Sequence, residues 1–157
     1  MSPLRIERCD PEASPAAGLL ADMVVELNAA YGVPNRLAVP AVEPSDLRPP
    51  RGTYLVGYEG DAAVASGGLR SFAEGVAEIK RMFVRPEARS KGYAAEMLAA
   101  IEEVAWSMGY RRACLDTGPK QVHAQALYRR AGYAEVAPFN DNPFACFWGE
   151  KMLRQPG

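Results

Sequence analysis

The chain has 157 residues, with 18 Lys and Arg against 19 Asp and Glu, for a formal net charge of -1. That length suits one domain with a core of its own, and 48 % hydrophobic with 24 % charged residues is a globular balance that excludes wholesale disorder. The near-neutral charge offers no basic excess for a nucleic-acid binder, and a single histidine excludes any multi-histidine metal site.

Cys9, Cys114 and Cys146 are far apart and form no C-x-x-C pair. They read as reduced, mostly apolar fillers. The first ten residues show no apolar stretch of the signal-peptide kind. Residues 15–30 are interrupted by Asp22 and Glu26 and cannot span a bilayer. The expectation is one cytoplasmic domain over residues 1–157.

Residues 4–8 alternate Leu4 and Ile6 with Arg5 and Glu7, the pattern of a half-buried strand. Ser14, as cap, and Pro15 open a helix to about residue 30. Its Leu19, Leu20, Met23, Val24 and Leu27 share one face. Five prolines between residues 31 and 52 forbid a long regular element. A loop that long in a compact domain moves or carries function, and a short helix can begin at Ser45. Residues 53–59 and 62–70 form a hairpin around Gly60-Asp61. A second turn at 72–75 leads to a third strand at 76–84. After a basic loop at 89–94 a helix runs to Met108 and stops at Gly109. A strand at 112–117 and an amphipathic helix at 121–131 follow. Strands at 133–136 and 145–153, joined by the PFNDNP loop, close an α+β domain on a mostly antiparallel sheet.

Two segments break the folding pattern. Strand 76–84 carries Glu78, Lys80 and Arg81 in mid-sheet, where charge without partners is costly. Either the strand borders a wet cleft or these charges pair. The run Arg89-Ser90-Lys91-Gly92-Tyr93-Ala94 stands directly before a helix, whose first turn presents unpaired N–H groups and the positive dipole end. Basic residues there, with Gly92 allowing close backbone approach, make an anion cradle. It is neither a Walker A loop nor a G-x-G-x-x-G loop, and no G-x-S-x-G nucleophile elbow occurs. His123 reads as a surface or cap residue and Cys114 as a buried filler.

The run EIKRMFVRPEARSKGYAAEML resembles the acyl-CoA-binding motif of the GNAT superfamily of N-acetyltransferases, a strand followed by [QR]-x-x-G-x-[GA] and a helix. Here the motif stands as Arg89, Gly92 and Ala94. QVHAQALYRRAGY is similar to the family's N-x-x-A-x-x-L-Y-x-x-x-G-[FY], with Gln121 at the asparagine position. The resemblance covers residues 52–153. It implies a GNAT-like, mixed and mostly antiparallel sheet of about seven strands, helices on both faces, and a splay between the fourth and fifth strands.

It implies, further, acetyl-CoA as cosubstrate and no metal. Pantetheine would enter the splay as an added strand, held at Met82, Phe83 and Val84 with Gln121 beside it, and the pyrophosphate would sit on Arg89, Ser90, Lys91, Gly92, Tyr93 and Ala94. Tyr128 matches the family tyrosine that protonates the leaving thiolate, and Glu78 occupies the position of a general base. Tyr31, Arg70 and Arg81 are the candidate acceptor contacts; a register set by the 72–75 turn would put the two arginines on one face. The expected reaction is direct acetyl transfer in a ternary complex to a primary amine of a small molecule. Acetylation of a protein N-terminus or lysine, and a non-catalytic acyl-CoA sensor, are the alternatives. No nucleic-acid or membrane partner is expected, and a homodimer is left open.

Overall fold

Strand patterning, not helix propensity, sets the frame, because consecutive residues of β2–β4 belong to two separate cores. The computed structural model describes residues 4–32 and 42–157; the part of the expected 31–52 loop at 33–41 lies outside the described residues. The described elements are β1 (Arg5–Arg8), α1 (Ala16–Tyr31), a 3-10 turn (Pro44–Leu47), β2 (Thr53–Glu59), β3 (Ala62–Ala73), β4 (Val76–Val84), a second 3-10 turn (Pro86–Ala88), α2 (Tyr93–Ser107), β5 (Arg112–Thr117), α3 (Val122–Arg130), β6 (Ala134–Glu135) and β7 (Phe147–Met152). They build one sheet in the order β1-β2-β3-β4-β5-β7-β6. All neighbours are antiparallel except β4 and β5.

Leu55, Leu69, Ala77 and Ile79 pack with Met97, Leu98 and Ile101 of α2 on one face. Tyr54, Val56 and Phe83 pack with Leu19 and Met23 of α1 on the other. Period-two alternation therefore buries the central strands on both faces. No described helix is long and apolar enough to cross a membrane.

Several boundaries differ from the sequence reading. Pro15, in αR conformation, takes the cap position of α1, and no side chain caps it. Ser14 therefore does not serve as cap. β3 runs on to Ala73, so the β3–β4 turn is the pair Glu74-Gly75, with Gly75 at φ 74°. This tighter turn, together with an irregularity in the pairing between Ser71 and Ala73, sets a register one residue from the expected one: Arg70 stands opposite Glu78 and Gly68 opposite Lys80.

β4 then breaks its alternation. Arg81 adopts φ 61° where the register with β3 shifts between Ser66 and Gly68. One extra residue is accommodated there, the signature of a β-bulge. Without it Phe83 would share the face of Ile79; with it Phe83 joins the α1 core. Arg81 thus stands outside the plain alternation on which the shared-face expectation for Arg70 and Arg81 rested.

Candidate functional site

β4 and β5 pair only over Val76–Glu78 and Arg112–Cys114. Beyond that point they diverge, and a cavity of about 120 Å³ opens between them, walled among others by Met82, Asp116, Thr117, Tyr128 and, from α1, Leu27 and Tyr31. β4 residues 79–84 keep β3 on one side and, among the described residues, pair with no strand on the other. The bulge falls inside that stretch. Peptide groups along such an edge can take up an extended ligand as one more strand. Met82 lines the cavity, and Phe83 and Val84 continue the same edge.

At one end of the edge lies the loop before α2. Ser90 (φ 66°) and Gly92 (φ 82°) both take left-handed conformations, turning successive N–H groups into a concave nest. Gly92 is the cap residue of α2, and no side chain caps the first turn. The nest and the uncapped helix start provide N–H donors suited to a phosphate. The basic side chains there are engaged elsewhere. Arg89 forks onto both oxygens of Glu26 at 2.7 and 2.8 Å and donates to the Val84 carbonyl. Lys91 meets Glu59 at 3.0 Å, and Tyr93 donates to the same carboxylate. That bond raises Tyr93 to about 12 and lowers Glu59.

Tyr128 of α3 lines the cavity and is 6 % exposed. Burial first, and then the Asp116 charge, raise its pKa. The phenol stays protonated, as a proton donor must. Thr117, 6 % exposed, presents a hydroxyl without a partner in the same cleft.

On the α1 face a line of charges crosses the sheet. Arg70 Nε donates to Glu78 at 2.8 Å and Arg70 lies 3.7 Å from Asp46. Glu78, 1 % exposed, lies 3.5 Å from Lys80, and Lys80, 9 % exposed, lies 3.9 Å from Asp116, itself 8 % exposed. Asn140 donates to Asp116 at 2.6 Å, Asn142 at 3.5 Å, and the Trp148 indole N–H fixes Asn140 at 2.9 Å. Lys80, Arg81 and Asp116 line the cavity; Glu78 is enclosed behind them by its two cations.

Tyr31 closes the mouth. Its ring meets Phe144 edge-on, and its hydroxyl donates to Gln121 Oε1 at 3.4 Å. Gln121 Oε1 also accepts from the Gly118 N–H at 3.2 Å. A Cβ on Gly118 would collide with the Tyr31 hydroxyl and the Phe144 carbonyl, so only glycine allows this closure. Cys114, pushed up to about 12 chiefly by burial, stays a thiol.

The structure thus gathers Tyr31, Arg81, Met82, Gln121 and Tyr128 around one cavity, places 89–94 at the end of the β4 edge, and commits Arg70 and Glu78 to each other. Sequence reasoning placed the PFNDNP loop, which contains Asn142, against the acceptor without singling out that residue; it missed Asp116 and Thr117 as wall residues and treated Lys80 only as a pairing partner. The available signal for Asp116 was an acidic residue directly after the apolar run Ala113–Leu115.

A family model of the Acetyltransferase (GNAT) family matches residues 20–133. The chain belongs to that family. It is 37 % identical over 87 residues to the IAA acetyltransferase of Azospirillum brasilense, covering 55 % of this chain and 57 % of that relative's length. An acetyltransferase of the GNAT family from Staphylococcus aureus superposes with a TM-score of 0.77 at 15 % identity, over 96 % of this chain and 99 % of its own. A PaiA N-acetyltransferase from Thermoplasma acidophilum, in complex with coenzyme A, gives 0.71 at 16 % identity, over 97 % and 99 %. The two structures speak for the fold.

Proposed function

We propose that the protein is an acetyl-CoA-dependent N-acetyltransferase acting on a primary amine of a small molecule. The observation that carries this is the divergence of β4 from β5 beyond Glu78, with a tyrosine of raised pKa in the wall and a nest of N–H groups at its end. The solved relative with coenzyme A bound supports the choice of cosubstrate. When bound, acetyl-CoA supplies an activated acetyl thioester.

The backbone of Met82, Phe83 and Val84 holds the pantetheine arm, with Gln121 flanking it. The N–H groups over 89–94 take the pyrophosphate. A backbone N–H by Phe83 polarises the thioester carbonyl. In the transfer a C–N bond forms and a C–S bond breaks. Tyr128 gives its proton to the departing sulfur and is reprotonated from water. The ammonium of the acceptor loses its proton to a carboxylate. Two are near: Glu78 is closed off by Arg70 and Lys80, whereas Asp116 stands on the cavity wall. In our reading Asp116 receives the proton, and Glu78 holds Lys80 and Arg70 in place.

The test is thiol release from acetyl-CoA over a panel of small amines, N-terminal peptides and lysine peptides. Release with small amines supports the reading. Release only with peptides moves the protein to the protein-acetylating class. Tight coenzyme A binding with no release at all makes it a sensor.

A further inference from the structure

Lys80 is the under-bonded cation of the site. Its side chain is 9 % exposed and lines the cavity, yet its carboxylates lie at 3.5 and 3.9 Å. A charge-assisted hydrogen bond is closer to 2.7–2.9 Å. Arg70, by contrast, is fully committed to Glu78 at 2.8 Å. An ammonium that faces the cavity on a largely buried side chain, with no short bond to either carboxylate, has room for another anion.

The order of charges narrows that anion. Asp46, Arg70, Glu78, Lys80 and Asp116 alternate in sign, and with Arg81 of the cavity wall three cations stand against three anions, so the charges sum to zero. A guest that adds net charge in so enclosed a place loses hydration without compensation. A zwitterion does not. In an α-amino acid the ammonium and carboxylate are about 3 Å apart at standard bond lengths, close to the 3.9 Å between Lys80 and Asp116. The four groups then complete a square of alternating charge.

Taking the acetyltransferase reading as its basis, we propose that the acceptor is an α-amino acid, its carboxylate on Lys80 and its ammonium on Asp116. Leu27, Tyr31 and Phe144 form the apolar part of the wall, so the side chain that fits is apolar or aromatic. A polyamine or a lysine side chain carries no carboxylate beside its amine and leaves Lys80 without its partner.

Binding is measured first, so that turnover is not needed. L-phenylalanine and L-leucine are titrated calorimetrically into the protein saturated with coenzyme A, beside their decarboxylated counterparts 2-phenylethylamine and isoamylamine. The amino acids are expected to bind about 10- to 100-fold more tightly, the range for one charge-assisted hydrogen bond. Lys80→Gln should abolish the difference and Lys80→Arg should retain most of it. Equal or tighter binding of the decarboxylated amines, binding of neither, or a preference that survives Lys80→Gln overturns the proposal. If Lys80→Gln does not fold, the wild-type comparison decides alone. Thiol release from acetyl-CoA is then followed with the same four compounds. Amino acids that bind without releasing thiol sink the acetyltransferase reading and leave the ligand class standing. Release driven better by the decarboxylated amines does the reverse.

Discussion

In the proposed reaction Tyr128 would carry one half of the proton traffic, and its substitution is the sharpest single test. Tyr128→Phe keeps the ring against Tyr133 and removes the donor. kcat under chemistry-limited conditions should fall about 10- to 1000-fold, with coenzyme A affinity unchanged by calorimetry. Because the phenol's pKa is raised, its protonated form persists above the usual value near 10. The wild-type pH–rate profile should therefore show no alkaline fall from loss of this acid up to about pH 10. The two carboxylates separate by pH. Asp116→Asn should cost most at neutral pH and recover towards about pH 9.5, where the amine arrives deprotonated. Glu78→Gln should cost a constant factor across that range, since it disturbs Lys80 and Arg70 rather than the proton. A deficit in Glu78→Gln that shrinks with pH would make Glu78 the base. Tyr128 was legible because it falls in a motif with fixed spacing. Asp116 was not, because its partners Asn140 and Asn142 lie 24 and 26 residues away in an irregular loop.

At the scale of elements, the strand and helix order could be read from periodicity, and the family segments fixed which strands diverge. What could not be read was the bulge at Arg81 and the two-residue turn at Glu74-Gly75, since each changes the face of a residue without changing the strand pattern. The start of α2 is the element that the proposed phosphate site rests on most directly. Gly92→Glu meets open space around its Cβ, but at φ 82° a side chain is disfavoured, by roughly 1–2 kcal/mol. The melting temperature should drop by a few degrees, while the added carboxylate weakens coenzyme A binding about 100-fold or more. Unchanged affinity in a calorimetric titration would place the phosphates elsewhere.

Across the whole molecule, burial of ionisable groups on both sheet faces predicts an alkaline limit to stability. Cys114 moves from 9.0 to about 12 on folding, and Tyr54, Tyr128 and Tyr133 are all raised, each chiefly by burial. A group with a raised folded pKa leaves stability flat below its unfolded value and erodes it above, because the unfolded chain gives up the proton first. The urea midpoint should hold to about pH 8.5 and then fall, with Cys114 costing roughly 1 kcal/mol by about pH 10. Cys114→Ala should delay the onset towards the tyrosine range. A midpoint still flat at pH 10 would show these groups to be solvated.

If the nest before α2 takes the cosubstrate's phosphates as proposed, the carboxylates that hold the basic residues around it would make loading an exchange of ions. Asp22 pairs with Arg85, Glu26 with Arg89 and Glu59 with Lys91. A phosphate arriving there replaces an anion the protein already owns, and the freed carboxylates take up the cations that the phosphates leave behind. Net ion release is then small, so the plot of log Kd for coenzyme A against log salt should be nearly flat, within about twofold between 50 and 300 mM. Removing the competing charges with Glu26→Gln and Glu59→Gln should tighten binding at low salt and give the plot the slope of an open basic loop.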